Sequence, residues 1–569
     1  MIEKRVQEWL NGPYDEETKN EIRHLMQTSP ASLQDAFFQS LSFGTGGLRA
    51  KMGVGTNRLN RYTVQMATQG LANYLLKLGK KNLSVFIGYD VRHLSQEFAM
   101  TAARVLAGNQ IKALLTDSIC PTPLASFGCR HFGCQAAIMI TASHNPPEYN
   151  GYKVFWDDGG QVVAPHDQGI LEEIEKIQRI DEVKLVPENS PLIQRVDSSL
   201  DRAYLEALSA CKIQTKNLPL KIIYSPLHGT GVRILPKALQ SFGFSCDLVE
   251  KQSEPNGAFP NAASVNPEEK EAFELGAKML FEEKGDLLLA TDPDADRVGA
   301  AILHEGKLVH LTGNQIACLC LDYICKTLAE KNELSSSYAC IKTIVTTELF
   351  ARIAESYGLP CFNVLTGFKY IASLIAEWEK TNAPYQYLFG GEESYGYLFK
   401  SFVRDKDAIS SSCLIAEAAA SAKDQGKTLL DELYTLYERF GVYRQSLINY
   451  SLPPGKAGLE LVSQVMDRLR ADPPSSILGQ KVVQIDDYLA LSPNPLGLPA
   501  SDVLSFWLED GAKLVIRPSG TEPKIKIYAE VLEKGLDISS TVQTADQKLL
   551  KLTENFLHMI NQPQNPHQN

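Results

Sequence analysis

The sequence predicts an α/β protein of several domains, and three observations support this fold class. Strands and helices alternate in the same β-α-β-α-β order in three blocks, at about 83–141, 220–290 and 340–389. The last strand of each block is apolar and runs directly into a polar loop. The tail instead alternates apolar and polar residues at 513–516 and 524–528, which is typical of half-buried antiparallel strands. We therefore predict three similar α/β domains and a fourth domain of a different kind.

Length and composition agree with this division. A chain of 569 residues is too long for one core, and roughly three to five domains are expected. The fractions of hydrophobic residues, 44%, and charged residues, 22%, are those of an ordinary globular protein. The predicted domains span residues 1–205, 206–318, 319–450 and 451–569.

The elements follow in order. The first 40 residues or so read as helices, and Ser32 with Asp35 resembles a capping box that opens one of them. The predicted strands after them are 83–89, 111–116, 136–141, 220–224, 245–250, 286–290, 340–346, 361–365 and 385–389. The predicted helices are 95–107, 232–241, 268–282, one from 348, 369–379, 457–470 and 543–560. In α/β sheets, ligands bind beyond the carboxyl ends of strands, so the three blocks are expected to offer their loops to one cleft.

Charge and cysteine content exclude several classes of protein. A net charge of −11 argues against a general nucleic-acid binder or an anionic-membrane binder. The 11 cysteines are scattered without zinc-site spacing, as expected for reduced thiols. The sequence shows neither a signal-like start nor an apolar run of membrane-spanning length. We therefore predict a cytoplasmic protein and leave monomer and dimer open.

The first two loops each offer a polar group at a backbone turn. Residues 141–147, TASHNPP, follow an apolar strand and present Ser143 beside His144 at a proline-enforced turn. We expect Ser143 to carry a phosphoryl group; an ordinary surface turn is the alternative. Residues 43–49, FGTGGLR, combine close backbone approach at the glycines with the cation of Arg49. A flexible entry to the first sheet is the alternative there.

The loop at 291–297, TDPDADR, carries three carboxylates at alternate positions. Asp292, Asp294 and Asp296 would repel one another strongly unless they bind a cation, and oxygen ligands favour Mg²⁺. An EF-hand is rejected because its sixth and twelfth positions hold Arg297 and Leu303. A solvated acidic turn remains the alternative.

Two later loops offer partners for sugar hydroxyls and for a phosphate. Residues 390–396, GGEESYG, place carboxylates beside a hydroxyl, and Lys369 before the loop and Lys406 after it add cations nearby. Residues 517–523, RPSGTEP, combine a guanidinium, hydroxyls and a glycine backbone, which are suitable donors to a phosphate dianion. A polar turn and a tight hairpin are the respective alternatives.

Taken together and in chain order, the four loops at 141–147, 291–297, 390–396 and 517–523 resemble those of the α-D-phosphohexomutase (phosphoglucomutase/phosphomannomutase) superfamily. The resemblance spans about residues 43–530 and is greatest to the longer phosphoglucomutase type. It implies four domains around a central cleft, the last with a TATA-binding-like fold. It also implies interconversion of glucose 1-phosphate and glucose 6-phosphate through a phosphoserine and glucose 1,6-bisphosphate, which serves as intermediate and activator.

The resemblance also implies roles for individual residues. Mg²⁺ is held by phosphorylated Ser143 with Asp292, Asp294 and Asp296. Arg49, Lys153 and Arg297 lie on motif loops and add positive charge, and His144 and Lys406 are the candidates for moving the hydroxyl proton. Lys369 belongs to a specificity loop; Glu392 and Ser394 recognise the sugar; Arg517, Ser519, Gly520 and Thr521 bind the phosphate that does not react.

Other activities remain open at this stage. The sugar loop lacks the histidine that some relatives carry, which leaves phosphomannomutase, phosphopentomutase and glucose 1,6-bisphosphate synthase as alternatives. A non-catalytic sugar-phosphate sensor needs the binding loops but not both the serine and the metal triad. A serine hydrolase is disfavoured because the chain lacks a G-x-S-x-G elbow around Ser143 and because adjacent residues on an extended chain face opposite sides, which makes a bond from Ser143 to His144 unexpected.

Overall fold

The computed structural model describes residues 2–41, 47–453, 456–489, 498–519 and 523–561, with the backbone alone of Lys456. The strands are β1 (Gly47–Lys51), β2 (Ser84–Tyr89), β3 (Lys112–Thr116), β4 (Ala136–Ile140), β5 (Tyr149–Trp156), β6 (Ile193–Val196), β7 (Ile222–Ser225), β8 (Cys246–Leu248), β9 (Leu287–Thr291), β10 (Val298–His304), β11 (Lys307–Leu311), β12 (Tyr338–Thr343), β13 (Cys361–Val364), β14 (Gln386–Gly391), β15 (Tyr397–Phe399), β16 (Val442–Ser451), β17 (Ser476–Ile477), β18 (Gln480–Asp487), β19 (Leu504–Leu508), β20 (Lys513–Pro518) and β21 (Lys524–Glu533).

The α-helices are α1 (Ile2–Asn11), α2 (Glu16–Thr28), α3 (Pro30–Phe37), α4 (Arg61–Lys77), α5 (Ser95–Gly108), α6 (Thr122–His131), α7 (His166–Glu175), α8 (Ser199–Ser209), α9 (Leu235–Phe242), α10 (Glu250–Ser253), α11 (Glu274–Glu282), α12 (Gly313–Glu330), α13 (Glu348–Ser356), α14 (Phe368–Thr381), α15 (Ala408–Asp424), α16 (Leu429–Phe440), α17 (Lys456–Ala471) and α18 (Ile538–Asn561). The chain divides into two compact units. The first comprises residues 1–339 and 367–428, and the second comprises residues 340–366 and 429–569. Among the described residues, no helix combines the length and the apolarity needed to cross a membrane.

The predicted α/β order is confirmed, and two sheets of the first unit are mixed. The first has the order β1-β5-β4-β2-β3-β6, in which β2, β3, β4 and β6 run parallel. The second has the order β11-β10-β9-β7-β8, with a parallel centre at β7, β8 and β9. In each sheet one of the parallel strands is followed directly by an antiparallel partner, β4 by β5 and β9 by β10. In the third block β14 turns back antiparallel into β15 in the same way.

The three hairpins, β4–β5, β9–β10 and β14–β15, have the same strand–loop–strand arrangement, although their loops differ in sequence. The strands β4, β9 and β14 are apolar and almost wholly buried, so each loop begins where the buried run ends. One non-glycine residue of each loop lies in the left-handed region, with φ of 54° at Ser143, 53° at Ala295 and 65° at Tyr395. Such backbone is costly for an L-residue and is concentrated at functional turns.

The amino-terminal segment is helical as predicted, with one correction, and it packs against α4. Trp9 stacks on Tyr14 at 4.3 Å and meets Tyr62 edge-on at 5.7 Å. The predicted capping box at Ser32 is wrong, because α3 already begins at Pro30, a residue whose fixed φ suits the first helical position.

The second unit contains the predicted antiparallel domain. Its six strands have the order β16-β21-β20-β19-β18-β17, and each neighbouring pair runs antiparallel. One face of this sheet packs against α18, where the ring of Phe506 meets that of Phe556 at 6.3 Å. The strands β12 and β13 pair in parallel.

A buried charge cluster ties the two parts of the second unit together. Glu348 Oε1 accepts hydrogen bonds from Lys342 Nζ at 3.0 Å and Lys513 Nζ at 2.6 Å. Glu530 accepts from the backbone N–H of Glu348 at 3.0 Å and from the Gln445 side chain at 2.8 Å. Burial alone would raise the pKa of Glu348, but Lys342 and Lys513 outweigh it and lower that pKa to about 2.

Replacing Glu348 by glutamine is therefore expected to lower the free energy of unfolding at pH 7 by about 3 kcal/mol. A carboxyl whose pKa is lowered on folding stabilises the protein above its unfolded pKa and ceases to do so as pH falls towards its folded pKa. The difference between wild type and variant in urea unfolding should thus shrink between pH 4.5 and about pH 2. Glu355→Gln, at an exposed pair with Arg352, is the control and should change little.

Candidate active site

Ser143 lies in the turn between β4 and β5, with its hydroxyl directed at the acidic loop. Its side chain is buried, and Oγ donates to Asp292 Oδ2 at 2.7 Å. Its backbone N–H donates to Thr141 Oγ1 at 2.9 Å, which fixes the turn. The serine and the first aspartate of the predicted metal loop are thus in direct contact, although 149 residues separate them.

The Ser143 hydroxyl also lies 3.2 Å from His144 Nδ1. The expectation that these neighbours would not meet is therefore wrong. It assumed an extended backbone, whereas the left-handed φ of Ser143 turns both side chains to the same side. Burial, together with the positive charges of Arg297 and Arg49, holds the pKa of His144 well below its ordinary value. The imidazole is accordingly neutral at neutral pH.

The three aspartates of the loop between β9 and β10 converge as predicted. Asp292, Asp294 and Asp296 are buried, and one oxygen from each lies within 4.8 Å of the others. The N–H groups of Asp296 and Arg297 donate to Asp292 Oδ1 at 3.1 and 3.0 Å, so the loop backbone fixes this carboxylate.

A divalent cation fits this arrangement. Asp294 Oδ1 and Asp296 Oδ1 are buried and accept no hydrogen bond from the described residues. Buried carboxylate oxygens without a donor are costly, and hard cations bind such oxygens. Burial, followed by repulsion from Asp294 and Asp296, raises the pKa of Asp292 well above its ordinary value. A cation bound by the triad would offset the repulsion that contributes to this raised pKa.

Two lysines contact the Oδ2 atoms of Asp294 and Asp296. Lys153 Nζ donates to Asp294 Oδ2 at 2.9 Å and to Asp296 Oδ2 at 3.1 Å. Lys406 Nζ lies 3.2 Å from Asp296 Oδ2 and donates to Asp405 Oδ1 at 2.9 Å. Burial works against the charge of Lys406, but Asp296 and Asp405 raise its pKa above the ordinary value, so it is an ammonium group.

The two arginines beside these loops differ in how they are held. Arg49 is in β1 and donates to Asn145 Oδ1 at 3.1 Å, two residues beyond Ser143. Arg297 ends the aspartate loop, with its Nε 3.9 Å from Asp296 Oδ1 and its NH1 2.5 Å from Glu268 Oε1. The expectation that Arg49 and Lys153 lie on loops is wrong, because β1 and β5 are paired strands that place both side chains rigidly.

The predicted sugar loop lies close to the aspartate loop. The N–H of Val298 donates to the carbonyl of Tyr395 at 3.1 Å. Glu392 is buried, and its Oε1 accepts from the N–H of Gly367, the residue before α14, at 3.0 Å. Ser394 is half-buried in the same loop. Lys369, near the start of α14, has its Nζ 4.0 Å from Asp167 Oδ2.

The predicted phosphate loop belongs to the second unit. Arg517 lies at the end of β20, paired with Lys526 of β21, and the N–H of Ser519 donates to the carbonyl of Lys524 at 2.8 Å. Gly520 and Thr521 lie outside the described residues, as do residues 43–46 of the glycine-rich loop.

Sequence reasoning missed several residues that hold the loops in place. Thr230 donates through both its N–H and its hydroxyl to the carbonyl of Pro293, at 2.8 and 3.0 Å. Gly229 packs so closely that a Cβ there would lie 2.5 Å from the Cα of Pro293. The run 226–231, PLHGTG, directly after a buried strand is a signal that could have identified this support. Glu268, which pairs with Arg297, and Arg92, which binds the serine turn, lie in no sequence pattern that would have identified them.

Comparison with protein families finds four matching domains in this chain. Residues 40–181, 202–305 and 312–440 match the phosphoglucomutase/phosphomannomutase alpha/beta/alpha domains I, II and III. Residues 466–535 match the C-terminal domain of the same family. The order of the four matches is the order in which the four loops occur.

Individual relatives agree with these matches. A phosphoglucomutase of Staphylococcus aureus is 37% identical over 525 residues, which cover 90% of this chain and 93% of the relative. One of Staphylococcus haemolyticus is 37% identical over 509 residues, covering 87% and 91%. Among solved structures, the open form of the Paramecium phosphoglucomutase pp63/parafusin has a TM-score of 0.67 at 20% identity, covering 92% of this chain and 97% of that one. A Burkholderia thailandensis phosphoglucomutase/phosphomannomutase family protein has a TM-score of 0.65 at 18% identity, covering 90% and 97%.

Proposed function

Because the chain belongs to the phosphoglucomutase/phosphomannomutase family and is an enzyme of the phosphohexomutase type, we propose that it interconverts glucose 1-phosphate and glucose 6-phosphate. The observation that carries the proposal is the contact of a buried serine hydroxyl with a buried triad of aspartates, Ser143 Oγ to Asp292 Oδ2 at 2.7 Å. A sugar-phosphate sensor needs neither a nucleophile nor a metal triad, so this contact favours catalysis over binding alone.

In the proposed reaction phosphorylated Ser143 gives its phosphoryl group to O6 of glucose 1-phosphate. The P–Oγ bond breaks, the P–O6 bond forms, and glucose 1,6-bisphosphate results. The bisphosphate then reorients and returns the phosphoryl group on O1 to Ser143 Oγ, which leaves glucose 6-phosphate. Phosphoryl transfer passes through a loose, anionic transition state, so positioning and charge neutralisation are what the protein must supply.

The charged side chains around Ser143 suit this requirement. We propose that Arg49, Lys153 and Arg297 neutralise charge on the group in transfer. Asp292, Asp294 and Asp296, with the serine phosphate, are the proposed ligands of Mg²⁺, which when bound supplies further positive charge beside the phosphoryl oxygens.

The hydroxyl that attacks phosphorus must also lose its proton. A neutral imidazole has a lone pair to accept a proton, whereas an ammonium group has none. The lowered pKa of His144 and the raised pKa of Lys406 therefore support His144 as acceptor and Lys406 as a fixed positive charge. Glu392 and Ser394 are the proposed partners of the ring hydroxyls of the sugar. Lys369 is proposed to belong to the loop that selects the sugar.

Arg517, Ser519, Gly520 and Thr521 form the proposed site for the phosphate that does not react. Arg517→Ala is expected to raise KM for glucose 1-phosphate by about tenfold to a hundredfold, since a charge-assisted hydrogen bond contributes about 1.5–3 kcal/mol. Steady-state kinetics measure it. Arg352→Ala, an exposed arginine of the same unit, is the control and should leave KM unchanged. An unchanged KM in Arg517→Ala would place the phosphate elsewhere.

The identity of the sugar is tested by a coupled assay. Rates with glucose 1-, mannose 1- and ribose 1-phosphate are compared, each with and without glucose 1,6-bisphosphate as activator. We expect the highest kcat/KM with glucose 1-phosphate. A preference for mannose 1-phosphate or ribose 1-phosphate would instead identify a phosphomannomutase or a phosphopentomutase, and net formation of the bisphosphate would identify a synthase.

The proposal also covers the class of substrate, the location in the cell and the division into domains. The substrates are small sugar phosphates, and a cytoplasmic location is supported by eleven free thiols, most of them buried. We retain a four-domain division near residues 205, 318 and 450 as part of the proposal.

A further inference from the structure

Arg92 lies behind the serine turn, and none of the roles proposed above uses it. Its side chain is buried, and the guanidinium group donates to four main-chain carbonyls of the turn and of the strand that follows. NH1 donates to Pro146 at 2.8 Å and Tyr149 at 2.9 Å, and NH2 donates to Ser143 at 2.6 Å and to Asn145. A guanidinium group has five N–H donors in a fixed plane, so one arginine can hold four carbonyls at once.

Arg92 is itself held from two sides. Its Nε lies 3.4 Å from Asp90 Oδ2, and neither side chain is exposed. The other oxygen of Asp90 accepts from the N–H of Arg92 at 2.9 Å and from Ser95 Oγ at 2.7 Å. From the second domain, the ring of Phe259 lies 5.1 Å from the centre of the guanidinium group. The cation is therefore paired, and an aromatic ring packs over it.

The second domain also packs tightly against the backbone of residues 91–93. A Cβ at Gly257 would lie 2.7 Å from both the N–H of His93 and the carbonyl of Val91. The chain at 256–259 therefore sits against residues 91–93 with no room between them. The position of Arg92 is thus fixed by the first domain through Asp90 and by the second through Phe259 and Gly257.

These contacts address a physical problem at Ser143. Its left-handed backbone, at φ 54°, is unfavourable for a residue with a Cβ and persists only where surrounding contacts impose it. Carbonyl dipoles near a serine phosphate would also repel it, unless a cation engages their oxygens. Arg92 meets both needs, because it binds the carbonyl of the strained residue itself and three carbonyls that follow it.

We infer that Arg92 is a positioning residue for Ser143. By binding the carbonyls of the turn, it holds the serine hydroxyl at Asp292, and Asp90 and Phe259 hold Arg92 in turn. The inference rests on the proposed function, in which Ser143 carries the phosphoryl group.

Arg92→Lys tests the inference, because an ammonium group keeps the charge but cannot reach four carbonyls. We expect kcat to fall about a hundredfold, as displacement of a reacting group by about 1 Å does, with KM for glucose 1-phosphate within about threefold of wild type. Hydrogen–deuterium exchange without substrate should be faster for residues 141–150. Arg104→Lys is the control, since Arg104 is a half-buried arginine of α5 that donates to the carbonyl of Val186 at 2.8 Å. It should change neither kcat nor the exchange of 141–150.

The exchange readout separates this inference from the proposed function. An inactive wild-type enzyme overturns the proposed function, while exchange still reports whether Arg92 holds the turn. If Arg92→Lys does not fold, Asp90→Asn serves instead, with faster exchange at 141–150 and kcat lowered about tenfold as the expected result. Wild-type kcat, a change confined to KM, or unchanged exchange in the variant that folds would overturn the inference.

Discussion

Ser143→Ala is expected to abolish mutase activity, with kcat lower by at least about four orders of magnitude. The proposed reaction leaves no other route, because Ser143 Oγ both gives the phosphoryl group to O6 and accepts the one from O1. The variant should still fold, since the change removes one hydroxyl and leaves the main-chain hydrogen bonds of the turn in place. Binding of glucose 1-phosphate should persist, because its proposed partners are elsewhere.

The measurement combines a coupled mutase assay with thermal unfolding and a direct binding titration of glucose 1-phosphate. Ser505→Ala, which truncates a buried serine of the second unit, is the matched control and should retain full activity. Turnover of Ser143→Ala within about tenfold of wild type would overturn the serine mechanism. Lost activity together with lost folding would instead point to a structural role for the hydroxyl.

Asp294→Asn is expected to lower mutase activity about a thousandfold or more. Asp294 Oδ1 is buried without a donor, while Oδ2 accepts from Thr122 Oγ1 at 2.7 Å and from Lys153 Nζ at 2.9 Å. An amide cannot supply the negative charge that a divalent cation requires from this oxygen pair. Loss of several kcal/mol of charge stabilisation, about 4 kcal/mol, corresponds to about a thousandfold in rate.

Chelation provides the second arm of this test. Removal of divalent cations from wild type should abolish activity, and added Mg²⁺ should restore it and raise the unfolding temperature, because a ligand that binds only the folded state stabilises it. Asp294→Asn should show neither response. Asp117→Asn, at an exposed site of the first domain, should respond as wild type does. Equal Mg²⁺ dependence in wild type and Asp294→Asn would remove the triad from the metal site.

The sequence anticipated the parts of the fold that follow from local pattern. Buried apolar runs such as β4 and β9 are strands because fully buried strands read as continuous hydrophobic stretches. Strand β5 was missed: its residues 149–153, YNGYK, contain the Asn-Gly pair typical of turns, and only pairing with β1 and β4 makes it extended. Tertiary hydrogen bonding here overrides local preference.

The sequence predicted those parts of the site that are marked by closely spaced charged residues. Three aspartates at alternate positions indicate a cation in any fold, and the triad converges as expected. The contact between Ser143 and His144 was not foreseen, because a left-handed serine is invisible in the sequence. Arg92 was missed for a related reason. An arginine after a strand indicates nothing until the fold brings four carbonyls to it.

The most direct test of the mechanism is to follow the phosphoryl group itself. Enzyme treated with glucose 1,6-bisphosphate and freed of ligand is analysed by intact mass and by peptide mapping, before and after excess glucose 1-phosphate. We predict one phosphoryl group on Ser143, lost on addition of the sugar phosphate as an equal amount of glucose 1,6-bisphosphate appears. An enzyme that turns over without phosphate on Ser143, or whose serine phosphate stays in place during turnover, would contradict the mechanism.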